Sequence, residues 1–259
     1  MKNKVIICMK WGSLYGPDYV NVLFNACRKN MKGEFQFICL TDDENGIDKN
    51  IQTYPIPANN CSPEMWNHGA WPKLTVFKNN LYDLKGRALF IDMDTVVWGS
   101  LDRFFEETAS FIGIDTGPNW RPNMANGGLN ALLGTGVFAF NLGEYAEIFD
   151  EFQRDPHAAF KTYDIEQVWV QKKVPNLSYW PQNWVISFKR WLRQPVGLDL
   201  IFEPKAPPVG TGLIAFHGTP RPIALVQSKG LFWDRLPHLG HGQVSWMKNY
   251  WIENGGKIS

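Results

Sequence analysis

Ala88-Leu89-Phe90-Ile91-Asp92-Met93-Asp94 is the stretch on which the reading of this chain turns. Four apolar residues make a buried strand, because a strand covered on both faces is a continuous apolar run rather than an alternation. Two carboxylates then sit just past its end. A strand end has no structural need of an Asp-x-Asp pair, and two like charges so close repel. Carboxylate oxygens are hard ligands, so a divalent cation holding a phosphate group is the natural partner for the pair. The stretch points to a sheet-based α/β fold and to chemistry on a phosphorylated or nucleotide-linked substrate.

The flanking sequence extends the same architecture. Residues 5–9 form another apolar run, followed by a Gly/Pro-containing loop at 10–17. Val20, Leu23, Phe24 and Cys27 recur at helical spacing, which predicts a helix over 19–30. Strands follow at 35–40 and 51–56. Strand, helix, strand in that order implies parallel pairing. Leu74, Phe77, Leu81 and Leu84 predict a helix over 73–84 ahead of the acidic strand. Beyond it come a short helix at 100–107 with Ser100 as N-cap, a strand at 111–114 and a long loop at 115–132. A strand at 136–141, a helix at 145–154 and an irregular C-terminal third rich in Pro, Gly and Trp complete the chain. There is no internal repeat and no linker. The reading is a single α/β domain over 1–259 with a mostly parallel central sheet, its nucleotide-binding part about 1–115 and its acceptor part about 116–259.

Composition narrows the class. Charged residues make up 20% of the 259 residues and the formal net charge is +1, which excludes a dedicated nucleic-acid binder with a strongly basic surface. The four cysteines, Cys8, Cys27, Cys39 and Cys61, form no C-x-x-C pair, so neither a zinc site nor a redox couple is expected. No apolar run reaches membrane-spanning length, and the N-terminal run is too short for a signal peptide. A cytoplasmic setting follows as an expectation.

Ligands of open α/β sheets bind beyond the carboxyl ends of the strands. Three polar clusters stand there: Lys10-Trp11-Gly12, Thr41-Asp42-Asp43 and Asp92-Met93-Asp94. Together they offer stacking, hydrogen-bond acceptors and metal ligands, although the Asp42-Asp43 step reads equally as a solvated turn. A third ligand type comes from Ile214-Ala215-Phe216-His217-Gly218-Thr219-Pro220-Arg221-Pro222, where an apolar strand delivers His217 into a Gly/Pro turn. Imidazole can complete a site built on two carboxylates, and a guanidinium nearby can neutralise phosphate.

Taken together, these segments resemble the GT-A-fold glycosyltransferases, nearest to family-8-type retaining enzymes and to uncharacterised bacterial glycosyltransferase-like proteins. Ala88–Val97 is similar to that family's strand and D-x-D element. Gly99-Ser100-Leu101-Asp102 resembles its helix start, and Gly134-Thr135-Gly136-Val137-Phe138-Ala139-Phe140-Asn141 its strand beside the sugar. Asp164-Ile165-Glu166-Gln167 is similar to the element near the reacting carbon, though Val168 stands where a closing acid belongs. His217-Gly218-Thr219-Pro220-Arg221 resembles its C-terminal His-Gly element, with Arg221 in place of a Lys. Lys73 stands where the family often has an Arg.

The resemblance implies a nucleotide-sugar donor, with UDP favoured, and Mn²⁺ or Mg²⁺ held by Asp92, Asp94 and His217. Lys10, Trp11, Tyr15, Thr41, Asp42, Lys73, Asp92, Met93, Gly136, Gly218 and Arg221 would contact the donor. Glu166, Gln167 and Arg221 would serve the transfer itself. The acceptor would be a glycan or lipid-linked glycan. Three rivals stand beside it: a haloacid-dehalogenase-type phosphatase that uses the same acidic residues, with Asp92 as nucleophile; a non-catalytic carbohydrate-binding protein exploiting the 12 tryptophans, which leaves the acidic pair and His217 unexplained; and a catalytically dead relative, for which no metal ligand is missing. The phosphatase motif usually follows the first strand, whereas 91 residues precede Asp92 here. The 188–193 segment, Phe188-Lys189-Arg190-Trp191-Leu192-Arg193, mixes cations with aromatics; it could touch an anionic acceptor or the inner face of a membrane, though a solvated face is the commoner reading of such a run.

Overall fold

The computed structural model describes residues 3–117, 132–227 and 232–258. In chain order it contains β1 (Lys4–Lys10), α1 (Pro17–Asn30), β2 (Gln36–Thr41), β3 (Gln52–Pro55) and α2 (Pro63–Asn67). A 3-10 helix at Trp71–Phe77 leads to β4 (Arg87–Ile91), β5 (Thr95–Val97), α3 (Asp102–Glu106), β6 (Phe111–Asp115) and β7 (Leu133–Asn141). Then come α4 (Ala146–Arg154), α5 (Pro156–Thr162), α6 (Glu166–Lys173), β8 (Leu177–Tyr179), β9 (Val185–Ser187), β10 (Leu213–Ala215) and α7 (Ser245–Glu253).

Seven strands form one sheet in the order β3-β2-β1-β4-β7-β6-β8. Its β3–β2, β2–β1, β1–β4 and β6–β8 pairs are parallel, while β7 runs antiparallel to β4 and β6. The strand alternation serves two cores. Val5, Ile7 and Met9 of β1 face one side with Phe90, Phe138, Phe140 and Phe77. Ile6 and Cys8 face the other with α1 residues Val20, Leu23 and Cys27. Phe138 stacks on Phe90 at 5.0 Å and on Phe111 at 5.6 Å, so β4, β7 and β6 are locked by ring contacts as well as by their ladders. All four cysteines are free thiols, three of them buried.

A second sheet, β5-β10-β9, stands at the end of the first. The chain passes between the two through Asp92–Thr95, a tight turn closed by Thr95 N donating to Asp92 O at 2.9 Å. The acidic pair therefore occupies the junction of the two sheets.

Two expectations need correction. The helix predicted over 73–84 is a 3-10 helix ending at Phe77, after which the chain turns. Lys78-Asn79-Asn80 is turn chemistry, and Tyr82 and Asp83 take positive φ (53° and 56°), which no helix interior permits. Helix α3 begins at Asp102, and Ser100 is not its N-cap. Leu101 occupies that position, and the Ser100 hydroxyl, one residue before it, accepts from Asp102 N at 3.2 Å. The expected loop at 115–132 lies almost wholly outside the described residues.

Candidate active site

Two cavities open at the junction and share one wall. The first, about 520 Å³, lies beyond the carboxyl end of β1 and is lined by Trp11, Gly12, Tyr15, Trp66, Met93 and their neighbours. The second, about 580 Å³, is lined by Gly136, Glu166, Gln167, Lys189, His217 and Gly218, among others. Ala70, Lys73, Asp92 and Asp94 belong to both. Each volume suits a small-molecule site.

The shared wall is a charge network. Lys73 is brought there by the 3-10 helix, which Pro72 opens within its first turn. Its ammonium lies 3.0 Å from both Asp92 oxygens, 3.4 Å from Glu166 Oε1 and 3.2 Å from the Thr135 carbonyl. Burial works to lower the Lys73 pKa, but the Asp92 and Glu166 charges outweigh it and hold it high. Glu166, at the first position of α6, also accepts from Thr135 Oγ1 at 2.5 Å. Burial nevertheless raises its pKa against the pull of Lys73.

Asp94 is less well compensated. Its Oδ2 accepts from the Tyr15 hydroxyl at 2.9 Å. Burial and then the Asp92 charge push its pKa up, with Tyr15, Lys73 and Arg221 opposing. Arg221 reaches it indirectly, its guanidinium lying over the Tyr15 ring at 5.3 Å. Gly136 is positioned by Asp92 N donating to its carbonyl at 2.8 Å, and a Cβ there would stand 3.4 Å from Asp92 Oδ2. A bare backbone at that position keeps the carboxylate open to the cavity.

His217 follows β10 by two residues and lines the second cavity, with its Nε2 2.7 Å from Ser187 Oγ of β9. Gly218 takes positive φ (72°) to turn the chain there. Among the described residues no three His, Cys, Asp or Glu side chains converge closely enough to hold a metal ion, so the imidazole is not gathered with the acidic pair. The pair itself fits a hard cation: two carboxylates on a cavity wall, with burial raising the cost of their charge and only one ammonium in direct contact.

Of the residues singled out from sequence, Trp11, Tyr15, Lys73, Asp92, Met93, Asp94, Gly136, Glu166, Gln167, His217 and Gly218 line these cavities. Lys10, Thr41, Asp42 and Arg221 do not. Lys10 is buried with its ammonium on the Asp43 carbonyl at 3.2 Å, and Thr41 closes the Asp43 turn. Asp42 accepts from Gly12 N at 2.8 Å and so shapes the loop after β1. Trp11 donates to the Trp66 carbonyl at 2.8 Å and meets the Trp66 ring edge-on.

Sequence reasoning missed Thr135 and Ser187, and reached Lys189 only as a member of the 188–193 segment. Thr135 sat inside a quoted motif without a role, and Ser187 carried no signal. The 188–193 segment, read as a solvated face, is a π-helical turn with Phe188 and Leu192 buried and Lys189 on the cavity wall. Burial first, then Arg193 and Arg190, lower the Lys189 pKa to about 8.

No family model matches the chain, and no curated protein matches it in sequence. Solved structures do match. The galactosyltransferase LgtC, solved in complex with donor and acceptor sugar analogues, superposes with a TM-score of 0.61 at 14% identity, over 98% of this chain and 96% of that one. The protein has the GT-A glycosyltransferase fold. The bifunctional glycosyltransferase WbbM matches at TM-score 0.61 and 10% identity, over 98% of this chain and 49% of its own. The glycosyltransferase GlyE of Streptococcus pneumoniae TIGR4 matches at 0.56 and 12%, over 99% of this chain and 62% of its own. The GT-A assignment read from the motifs is thus borne out for the fold. At these identities the likeness speaks to the fold alone.

Proposed function

We propose that the protein is a metal-dependent glycosyltransferase. It would move a sugar from a nucleoside-diphosphate donor, with UDP favoured, to a glycan or lipid-linked acceptor, with retention. The carrying observation is that two cavities meet at Asp92, Asp94 and Lys73. A donor lying across that wall would leave its nucleoside in the first cavity and its sugar in the second. The GT-A fold, and the donor and acceptor analogues held by LgtC, support the same reading.

Asp92 and Asp94 would hold Mn²⁺ or Mg²⁺, with His217 as the third ligand after release from Ser187. When bound, that ion supplies Lewis-acid stabilisation of negative charge on phosphate oxygens. The chain's own groups do the rest. Breaking the sugar–phosphate bond builds negative charge on the departing diphosphate, and preorganised cations lower that barrier most. Lys73 and Lys189 face the cavity as such cations, and Arg221 acts through Tyr15. Glu166 is paired with Lys73 and oriented by Thr135, facing the chamber where the sugar carbon would gain cationic character. Gln167 beside it offers an amide to sugar hydroxyls. Trp11 and Trp66 give the first cavity flat surfaces for a base.

Asp94→Asn keeps the shape and removes the charge. It should lower metal-dependent release of UDP from a UDP-sugar by about a hundredfold or more, the usual scale for losing one preorganised electrostatic group. Wild-type turnover by this variant, measured with Mn²⁺ at saturating donor, would remove the acidic pair from the reaction.

A further inference from the structure

Seven of the twelve large apolar side chains that are exposed among the described residues fall within 191–209. Five of them crowd one loop tip: Val196 (60% exposed), Leu198 (39%), Leu200 (47%), Ile201 (74%) and Phe202 (57%). The loop is closed at its base by Lys205 N donating to Leu192 O at 2.7 Å and Gln194 Nε2 to Glu203 O at 2.7 Å. Its polar groups turn inward. Asp199 is buried and accepts from Gln194 N at 3.0 Å. Leu198 N donates to Pro195 O, and the amides of Ile201 and Phe202 both donate to Leu198 O. The amides of Leu198, Leu200, Ile201 and Phe202 are bonded within the loop, which lowers the cost of moving that part of the tip out of water.

Cations outnumber acids around the tip, Lys189, Arg190, Arg193 and Lys205 against Asp199 and Glu203. Arg190 and Lys205 are exposed, and the Glu203 carboxylate is held against α7 by Ser245 N and Oγ at 2.9 and 2.6 Å. Apolar side chains next to cations, over a backbone bonded at four of the tip amides, match the boundary between headgroups and acyl chains of an anionic bilayer. Five side chains on one tip fall short of the roughly 800 Å² per partner that a standard protein interface buries.

We propose that the 195–202 tip docks the protein on an anionic lipid bilayer, its apolar side chains at the headgroup–acyl boundary and its flanking cations among the headgroups. The π-helical turn Phe188–Leu192 enters this loop and also carries Lys189 and Arg190 on the wall of the second cavity. Docking then brings that cavity to the bilayer. On the glycosyl-transfer reading, on which this consequence alone rests, the acceptor is an amphiphile presented by the membrane.

Sedimentation of the full chain with phosphatidylcholine vesicles, with and without phosphatidylglycerol, tests the docking in the absence of any nucleotide. Its outcome therefore does not depend on the transfer reading. The wild-type chain should bind the anionic vesicles and bind the neutral ones more weakly. Ile201→Glu/Phe202→Glu should lower binding to both by about tenfold or more. Lys205→Gln should lower binding to the anionic vesicles alone, by about fivefold. All of these side chains are exposed, so melting temperatures should match the wild type. Failure of the wild type to bind anionic vesicles, or undiminished binding by the double variant, overturns the proposal. So does light scattering that finds the wild type dimeric and the double variant monomeric, since the tip would then be a self-interface.

Discussion

Lys73 is the residue on which the site's charge balance depends. It is buried between Asp92 and Glu166, so removing it leaves two carboxylates facing each other with no cation between them. Breaking a buried pair from one side costs about 3–5 kcal/mol, mostly through the uncompensated partner. Lys73→Met should therefore unfold at markedly lower denaturant, and Lys73→Met/Glu166→Gln should recover part of the loss, because the amide needs no counter-charge. Additive losses in that double-mutant cycle would show that the two side chains do not act as a pair. Lys189 gives the site a pH dependence of a definite sign. Its pKa falls from the usual lysine value to about 8, so it is cationic below that pH and neutral above it. Burial and the Asp92 charge raise the Asp94 pKa to about 7, so metal-dependent affinity for a nucleoside diphosphate should rise as Asp94 ionises through about pH 7 and weaken again as Lys189 loses its proton through about 8. Titration calorimetry across that range should show the upper step in wild type and its absence in Lys189→Met. A step of equal size in both would assign it to another group.

The elements differ in how plainly the sequence announces them. The first five strands of the large sheet in chain order, β1, β2, β3, β4 and β6, were readable because each is a short apolar or β-forming run bounded by turn residues, and α1 because its apolar residues repeat at helical spacing. The acidic pair was readable because it has no structural reason to follow β4. The 3-10 helix was misread because Leu81 and Leu84 continue the helical period while Asn79-Asn80 and the positive φ at Tyr82 and Asp83 end it; local turn chemistry overrides periodicity there. Ser187 was invisible for a different reason. It meets His217 only because β9 pairs with β10 across some thirty residues, and β10 with β5 across more than a hundred. That small sheet depends on a close approach at Gly99. Its amide donates to Gly212 O at 3.0 Å, and a Cβ on Gly99 would stand 2.5 Å from the Thr211 carbonyl. Gly99→Ala must push β10 away, at a cost of about 1–3 kcal/mol, or roughly 2–10 °C in melting temperature for a chain of this size. Because β10 delivers His217, donor affinity should fall with stability. An unchanged melting curve would mean that the two sheets yield more easily than their backbone contacts suggest.

At the scale of the whole molecule, the two sheets are joined through the Asp92–Thr95 turn and the cavities lie on either side of it. A ligand across the shared wall would touch the loop after β1, the acidic turn and the β10 end at once, so its binding energy would oppose separation of both sheets. Nucleoside diphosphate at a hundred times its dissociation constant stabilises a protein by about 2.7 kcal/mol, which corresponds to roughly 5–10 °C in a chain of this length. The shift should need the cation. Without it the diphosphate meets two carboxylates of its own sign, and Lys73 is already shared between Asp92 and Glu166. Melting curves with UDP, GDP, ADP and CDP, each with and without Mn²⁺, should show one base dominating and only in the presence of metal. Equal shifts for all four bases would mean that the first cavity does not read the nucleoside. A full shift without metal would mean that Lys73, Lys189 and Arg221 suffice for the diphosphate, and that the acidic pair orients Lys73 instead of holding an ion.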